Sequence, residues 1–423
     1  MPTLLVIADL GHASPRFPGI CQKLSQLGWE IDLVTPRMST RQKNDFLFNE
    51  DRQWNLVETP WFLMRYKRIA NSTILLRALF KFGYKLVDGT RQLHRRLILK
   101  SPEEYGFSDH AGWERHVNRA VRHLLKTKKY DLVLSSSSPF TAHIIARNIA
   151  QQLNIPWVAD YRDLYSLNHT NPLSDDAIIF ESSLIESARA LLTVSEGFAK
   201  SQKQVYPGEI IVVNNGYREL SPCKKVKIDG PIKILYTGTI ENGFQNLELF
   251  LKSLEELNSE RTQTEVTFVG SSCTDVRKFY SGRSKTVPSF IHLNGNVSRE
   301  TSLSLQKSAD LLLYFECSNL EIKGVLLTKL YEYVASGSSI LRVGATTNDE
   351  ASRILHRIGY TETLSSQEKI VERISEFSRL KLISTVRNDE VAAYYSYTSI
   401  ASRVDHDLRR IIRDTPAEEK IGA

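Results

Sequence analysis

In the stretch LLTKLYEYVASGSSIL (326–341), Lys329 and Glu332 stand three residues apart, on one face of what the pattern predicts to be a short helix. Thr328 reads as its N-cap, Gly337 as its stop, and a strand follows. Lys329 falls in the first turn, where a cation opposes the helix dipole, and an anion held at that helix end would remove the conflict. Lysine holds phosphate as a point charge, and a carboxylate accepts two hydrogen bonds from a ribose diol. A plain Lys–Glu surface pair has the same spacing and is worth about 0.2–0.5 kcal/mol. A second stretch, YTGTIENGFQN (236–246), sets Gly238 and Thr239 behind a strand, where glycine lets the backbone approach a ligand closely. A tight strand-to-helix connection reads the same way.

The elements around these residues alternate. TLLVIADL, EIDLVTP, YDLVLSSSS, PWVADYRD, ALLTVSE and EIIVVNNG read as strands, with FPGICQKLSQLGW, FTAHIIARNIAQQLN and ESSLIESAR as helices between them. The strands are continuous apolar runs, which predicts a parallel sheet covered on both faces. NGYRELSPCKKVKIDGPIK (215–233) lacks apolar periodicity and reads as a linker. The pattern then restarts with IKILYTGTI, NLELFLKSLEELN, EVTFVG, FIHLNGNV, RETSLSLQKSA and DLLLYFE, ahead of the opening helix. The expected fold class is α/β, two Rossmann-like doubly wound domains facing across a cleft: 1–215, a linker 216–231, 232–394, and a C-terminal helix in 395–423. That helix carries Ile400, Val404, Leu408, Ile411 and Ile412 at helical spacing and is expected to return to the N-terminal domain. Ligands of such sheets bind at the carboxyl ends of the strands.

A chain of 423 residues with 41% hydrophobic and 24% charged residues is an ordinary folded protein of about two domains. No run approaches the roughly 18–20 apolar residues that span a bilayer. MPTLLVIADLG reads as a first strand rather than a signal peptide. Cys21, Cys223, Cys273 and Cys317 form no CxxC pair, which predicts a reducing, cytoplasmic setting without a metal or disulfide framework. Residues 61–100 hold ten Lys or Arg against one acid, Asp88, a net +9 beside +7 for the whole chain, so the basicity is assigned to that segment. Within it Leu75, Leu79, Phe82 and Leu86 form one stripe, and Arg77, Lys81 and Lys85 another, with Trp61 and Phe62 just ahead. A basic amphipathic helix with aromatics suits an anionic bilayer surface, and solvated cations outside a packed helix suit it too. No nucleic-acid-binding module is recognisable.

GVLLTKLYEYVASGSSIL resembles the donor-site helix of retaining glycosyltransferases of the GT-B fold, especially the family 4 enzymes of bacterial exopolysaccharide and O-antigen (lipopolysaccharide) synthesis. SPRFPGICQKLSQLGWEIDLVTP, YDLVLSSSSPFTAHIIARNIA, IPWVADYRDLY, LLTVSEGF, VVNNGY and ILYTGTI resemble further segments of that family, in the same order, from about residue 3 to 345. The resemblance implies sugar transfer from a nucleoside diphosphate donor to a lipid-linked or oligosaccharide acceptor, without cofactor or metal. The enzyme would be peripheral on the inner face of the plasma membrane. It also implies roles. Glu332 would hold the ribose, and Lys329 with Gly324, Val325, Gly238 and Thr239 the diphosphate. Arg16 would meet phosphate or acceptor, Arg162 and Asp163 would stand near the reacting sugar, and His143 matches the family's histidine as either a cleft or a packed residue.

The chain also departs from the family. Many relatives carry an Arg and a Lys just after the TG strand where this chain reads TIENGFQN, and a first glutamate where it has Gly324. A scaffold that binds nucleotide sugar or membrane without turnover, and a nucleotide-sugar 2-epimerase, are the alternatives. DHD (405–407) resembles a metal-binding DxD, but on a helix Asp405 and Asp407 point to different faces and read as solvated charges.

Overall fold

The computed structural model describes residues 1–10, 15–46, 52–60, 112–168, 173–240, 246–316, 324–344 and 349–415. The 61–100 segment, with Trp61, Arg77, Lys81 and Lys85, lies outside the described residues. The chain divides into two units: Met1–Val194 with Phe198–Val213 and Ala401–Ala423, and Asn214–Ile400 with Ser195–Gly197.

The first unit alternates β1 (Thr3–Ala8), α1 (Arg16–Gln26), β2 (Glu30–Pro36), α2 (Thr40–Phe46), β3 (Asn55–Thr59), α3 (Trp113–Leu124), β4 (Leu132–Ser137), α4 (Thr141–Leu153), β5 (Trp157–Tyr161), α5 (Asp175–Ile185), β6 (Ala190–Thr193), α6 (Glu196–Gln202) and β7 (Ile210–Val212). Its parallel sheet runs β3-β2-β1-β4-β5-β6-β7, the doubly wound order, whose direction reverses between β1 and β4. Leu4, Leu5, Val6 and Ile7 are all fully buried, so a continuous apolar run is what this central strand requires. The serines at the end of β4 are satisfied by side-chain partners: Ser136 Oγ donates to Asp160 (2.7 Å), and Ser135 Oγ accepts from Trp157 Nε1 (2.8 Å). Helix α5 starts earlier than the ESSLIESAR reading, at Asp175 behind an extended Ser174, and takes in the apolar Ala177–Phe180 stretch.

The second unit holds β8 (Lys225–Lys227), β9 (Ile232–Thr237), α7 (Leu247–Leu257), β10 (Thr264–Val269), α8 (Ser272–Gly282), β11 (Ile291–Leu293), α9 (Arg299–Ser308), β12 (Leu311–Phe315), α10 (Thr328–Ser336), β13 (Ser339–Val343), α11 (Glu350–Ile358), α12 (Gln367–Leu380), β14 (Leu382–Ser384) and α13 (Asp389–Ala393). Its parallel sheet runs β11-β10-β9-β12-β13 and reverses between β9 and β12. Residue alternation sorts its two faces. Ile232, Ile234, Tyr236, Leu311, Leu313 and Phe315 pack in one cluster, while Leu235, Leu312 and Tyr314 pack in another with α10 and α11. Both faces are therefore covered, each buried Leu or Ile contributing about 1.5–3 kcal/mol. The 216–231 stretch is not a free linker. Lys225–Lys227 pairs antiparallel with Leu382–Ser384, and three residues flanked by lysines carry too little periodicity to be read as a strand.

Helix α14 (Tyr397–Arg413) crosses the division, and from Ala401 onward it belongs to the first unit. Val404, Leu408 and Ile411 are buried at helical spacing. Asp405 is not a solvated charge: it accepts from Trp29 Nε1 (2.5 Å) and Arg409 Nε (2.6 Å). Arg410 forks onto Glu209 at 2.5 and 3.1 Å, fixing the helix end to β7's approach.

Candidate functional site

Three glycines stand at the carboxyl ends of neighbouring strands in the second unit. Gly238, Gly270 and Gly295 follow β9, β10 and β11 with φ of 106°, 101° and 60°. They are stitched together: Gly270 N–H donates to Gly295 O (2.6 Å), Gly238 N–H to Val269 O (2.8 Å) and Ser272 N–H to Gly238 O (3.1 Å). A Cβ on Gly270 would lie 3.0 Å from Gly238 O, and one on Gly238 would lie 3.3 Å from Lys329 Nζ. Positive φ and this close approach both demand glycine. The sequence reading singled out only Gly238, although FVG and LNG repeat its strand–glycine signal.

The cation at this rim comes from α10. Lys329 Nζ donates to Tyr236 Oη (2.6 Å) and Thr239 O (3.2 Å), and lies 4.1 Å from the Tyr236 ring centroid. Tyr236 Oη donates to the same Thr239 carbonyl (2.6 Å), and Thr239 Oγ1 meets Ser271 Oγ at 2.7 Å. The lysine reaches this turn from a helix 90 residues later in sequence. The helix itself begins one residue earlier than expected. Leu327 is its N-cap (φ −67°, ψ 136°) and Thr328 its first residue, with no side-chain cap. Gly337 ends it in the left-handed region (φ 77°). Gly324 (φ 86°) and Val325 lead into it, Gly324 buried and Val325 half-buried.

Leu330, Tyr331, Tyr333 and Val334 are buried, leaving Lys329 and Glu332 on the partly exposed face. Glu332 turns to α9. Its Oε1 takes Arg299 Nη2 at 2.7 Å, and its Oε2 accepts Gln306 Nε2 at 3.3 Å. A carboxylate has about four lone-pair sites, so acceptor capacity remains for two further donors such as ribose hydroxyls. Arg299 and Gln306 were not legible in advance, because nothing in RETSLSLQKSA ties them to a glutamate about thirty residues on.

The first unit gathers the remaining candidates at the ends of β4 and β5. Arg16, which the resemblance assigned to phosphate or acceptor, is 1% exposed and committed inward. Its Nη1 lies 2.6 Å from Asp160 Oδ1, and its Nη2 donates to Val213 O (2.7 Å). Arg162 donates through Nε to Ser137 O (2.8 Å) and Nη2 to Ser138 O (2.5 Å). Burial lowers its pKa, opposed by the carboxylates of Asp160 and Asp163. Asp163 itself is exposed. His143 is fully buried, its Nδ1 2.7 Å from Ser135 Oγ, among the rings of Phe140, Tyr161 and Trp157. Burial first, and the nearby Arg162 charge second, push its pKa down to about 3, so it is a neutral packed histidine. Glu181 holds the loop that carries Arg162 and Asp163, accepting from the N–H (3.1 Å) and hydroxyl of Ser166.

Among the described residues no His, Cys, Asp and Glu side chains group as a metal site would require, and no helix is long and apolar enough to cross a membrane.

Residues 13–216 match the family model described as "Glycosyl transferase 4-like domain". No curated protein matches the chain. Among solved structures, sucrose-phosphate synthase from Thermosynechococcus elongatus is similar with a TM-score of 0.58 and 13% identity, over 98% of this chain and 100% of that one. A glycosyltransferase from Rickettsia africae ESF-5 gives 0.59 and 10%, over 98% and 99%. The lipopolysaccharide outer core galactosyltransferase WaaB, in apo form, gives 0.50 and 13%, over 96% and 99%. With two doubly wound units, the chain has the GT-B fold.

Proposed function

We propose that the chain is a glycosyltransferase moving a sugar from a nucleoside diphosphate donor to a lipid-linked glycan or oligosaccharide acceptor in cell-surface polysaccharide synthesis. One observation carries this reading. A single short helix, α10, delivers a cation to the glycine turn at the end of β9 and a carboxylate one turn further on, beside the strands between which the order reverses. In this reading the diphosphate lies against the Gly238–Thr239 backbone, Lys329 and the N–H groups that open α10. Glu332, held by Arg299 and Gln306, accepts the ribose hydroxyls. The sugar C–O bond to the diphosphate breaks, and the charge that develops there is met by Lys329 and the helix N-terminus without a metal. The family resemblance supports retention at the anomeric carbon.

Asp163, exposed beside the anchored Arg162, is the candidate for the acceptor side. Arg16 and His143 are assigned to the wall that supports it. The 61–100 segment supports peripheral association with an anionic, inner-face bilayer. A second reading, donor binding without turnover, draws support from the inward commitment of Arg16 and His143.

The test is nucleoside diphosphate release from a panel of sugar nucleotides, without added metal and in the presence of a lipid extract. Release with one donor, lost in Glu332→Ala and Lys329→Ala, is expected. Binding without release supports the second reading, and release that survives both substitutions overturns the site.

A further inference from the structure

Tyr236 stands at the carboxyl end of β9 with its side chain buried, its ring fixed beside Phe268 (centroids 5.9 Å apart) and Phe315 (5.2 Å). Its hydroxyl reaches the glycine rim, between the Thr239 carbonyl and Lys329 Nζ, each at 2.6 Å. Chemistry settles the direction of both hydrogen bonds. A carbonyl only accepts and an ammonium only donates, so the phenol donates to Thr239 and accepts from Lys329. Lys329 Nζ donates to the same carbonyl (3.2 Å) and lies 4.1 Å from the Tyr236 ring centroid, within cation–π range. A phenol, its ring and a backbone carbonyl all attract a cation without cancelling its charge. A carboxylate in the place of the phenol would hold the ammonium too, but an anionic ligand would then have to displace it. The contact is not needed to dock the helix. One turn further along α10, Tyr333 Oη accepts from Thr237 N–H (2.9 Å) and meets Thr237 Oγ1 at 3.2 Å, with Leu330 and Val334 buried around it. The helix is thus attached to the end of β9 twice, once by a buried pair and once at the partly exposed rim.

We infer that Tyr236 is a positioning residue for the donor diphosphate: it holds the Lys329 ammonium against the Gly238–Thr239 turn, charged and oriented, before the ligand arrives. The inference rests on the donor-site reading above and adds a residue to which that reading gives no role. A lysine on its flexible four-carbon stem gives up rotamer freedom when it grips an anion, and one already held in place has given it up in advance. The holding is close. A Cβ on Gly238 would lie 3.3 Å from Lys329 Nζ, so the ammonium stands over the backbone that the diphosphate would meet.

The experiment is calorimetric titration of the full chain with pyrophosphate and with nucleoside diphosphates, across wild type, Tyr236→Phe, Lys329→Met and the double variant. Phenylalanine keeps the ring and its packing and removes only the hydroxyl. Tyr236→Phe is expected to weaken pyrophosphate and nucleoside diphosphate by the same factor, roughly 3–10-fold, because the contact acts on the phosphates. In the Lys329→Met background the same substitution is expected to change neither affinity, since the lysine through which it acts is gone. Nucleoside diphosphates, which Glu332 still holds, keep binding measurable there. A general loosening of the rim would persist in that background, so the comparison stands even where Tyr236→Phe lowers the melting temperature. Equal losses from Tyr236→Phe in both backgrounds, or no loss in the wild type, with Lys329→Met still weakening binding, overturn the inference and leave the donor site standing. Pyrophosphate binding that is unchanged in Lys329→Met overturns the donor-site reading and this inference with it.

Discussion

Acidification from about pH 7.5 to about pH 5 should destabilise the first unit by about 2 kcal/mol through His143 alone. In the folded chain this imidazole is fully buried and stays neutral down to about pH 3. Once unfolded it protonates near an ordinary value of about 6.5. Above that value both states are neutral and His143 contributes no pH dependence. Below it only the unfolded state takes up the proton, so stability falls by about 1.4 kcal/mol per pH unit until the folded value is reached. Denaturant unfolding followed by tryptophan fluorescence isolates the effect, since Trp29, Trp54, Trp61, Trp113 and Trp157 all precede residue 158 and report on the first unit. Other groups titrate in the same range, so the comparison is with His143→Gln, which keeps a neutral polar partner for Ser135. Wild type should lose about 2 kcal/mol more than the variant over this interval. Equal acid losses in the two proteins, or an imidazole titrating near its ordinary value in the folded chain, would refute the assignment of His143 to the packed core.

Three further outcomes follow from contacts already described. Arg16→Met strands the buried Asp160 carboxylate and should cost about 3–5 kcal/mol in the same unfolding assay. Adding Asp160→Asn should recover more than half of that, whereas a loss below about 1 kcal/mol would place the pair among exposed bridges. Arg299→Ala should weaken nucleoside diphosphate binding roughly 5–10-fold by freeing Glu332 and leave pyrophosphate binding unchanged, with Arg299→Lys partly restoring it; equal losses for both ligands would argue against positioning. Gly238→Ala forces a residue with Cβ to φ 106° against Lys329 and should cost about 1–3 kcal/mol, read as a lower melting temperature; no change would mean the turn relaxes freely.

The doubly wound architecture was legible because strands covered on both faces are apolar without alternation, as Leu4–Ile7 and Leu311–Phe315 are. Lys329 and Glu332 stood out because they stand three residues apart on one helix face, and with Thr328 they are the partly exposed positions of that helix. The partners of the charged residues were hidden. Arg16 finds Asp160 across 144 positions and Glu332 finds Arg299 on another helix, and no local periodicity encodes such pairs. His143 stayed open between cleft and core in the sequence, because its burial depends on rings from β5 and the residue before α4.

The central claim is that α10 and the glycine rim hold a nucleoside diphosphate. Its most direct test is calorimetric titration of the full chain with nucleoside diphosphates of each base and with pyrophosphate. The account predicts binding with one base preferred. Glu332→Gln should lose roughly 10–100-fold for the nucleotide and little for pyrophosphate, while Lys329→Met should lose about as much for both. Isotherms indistinguishable among wild type, Glu332→Gln and Lys329→Met would contradict it.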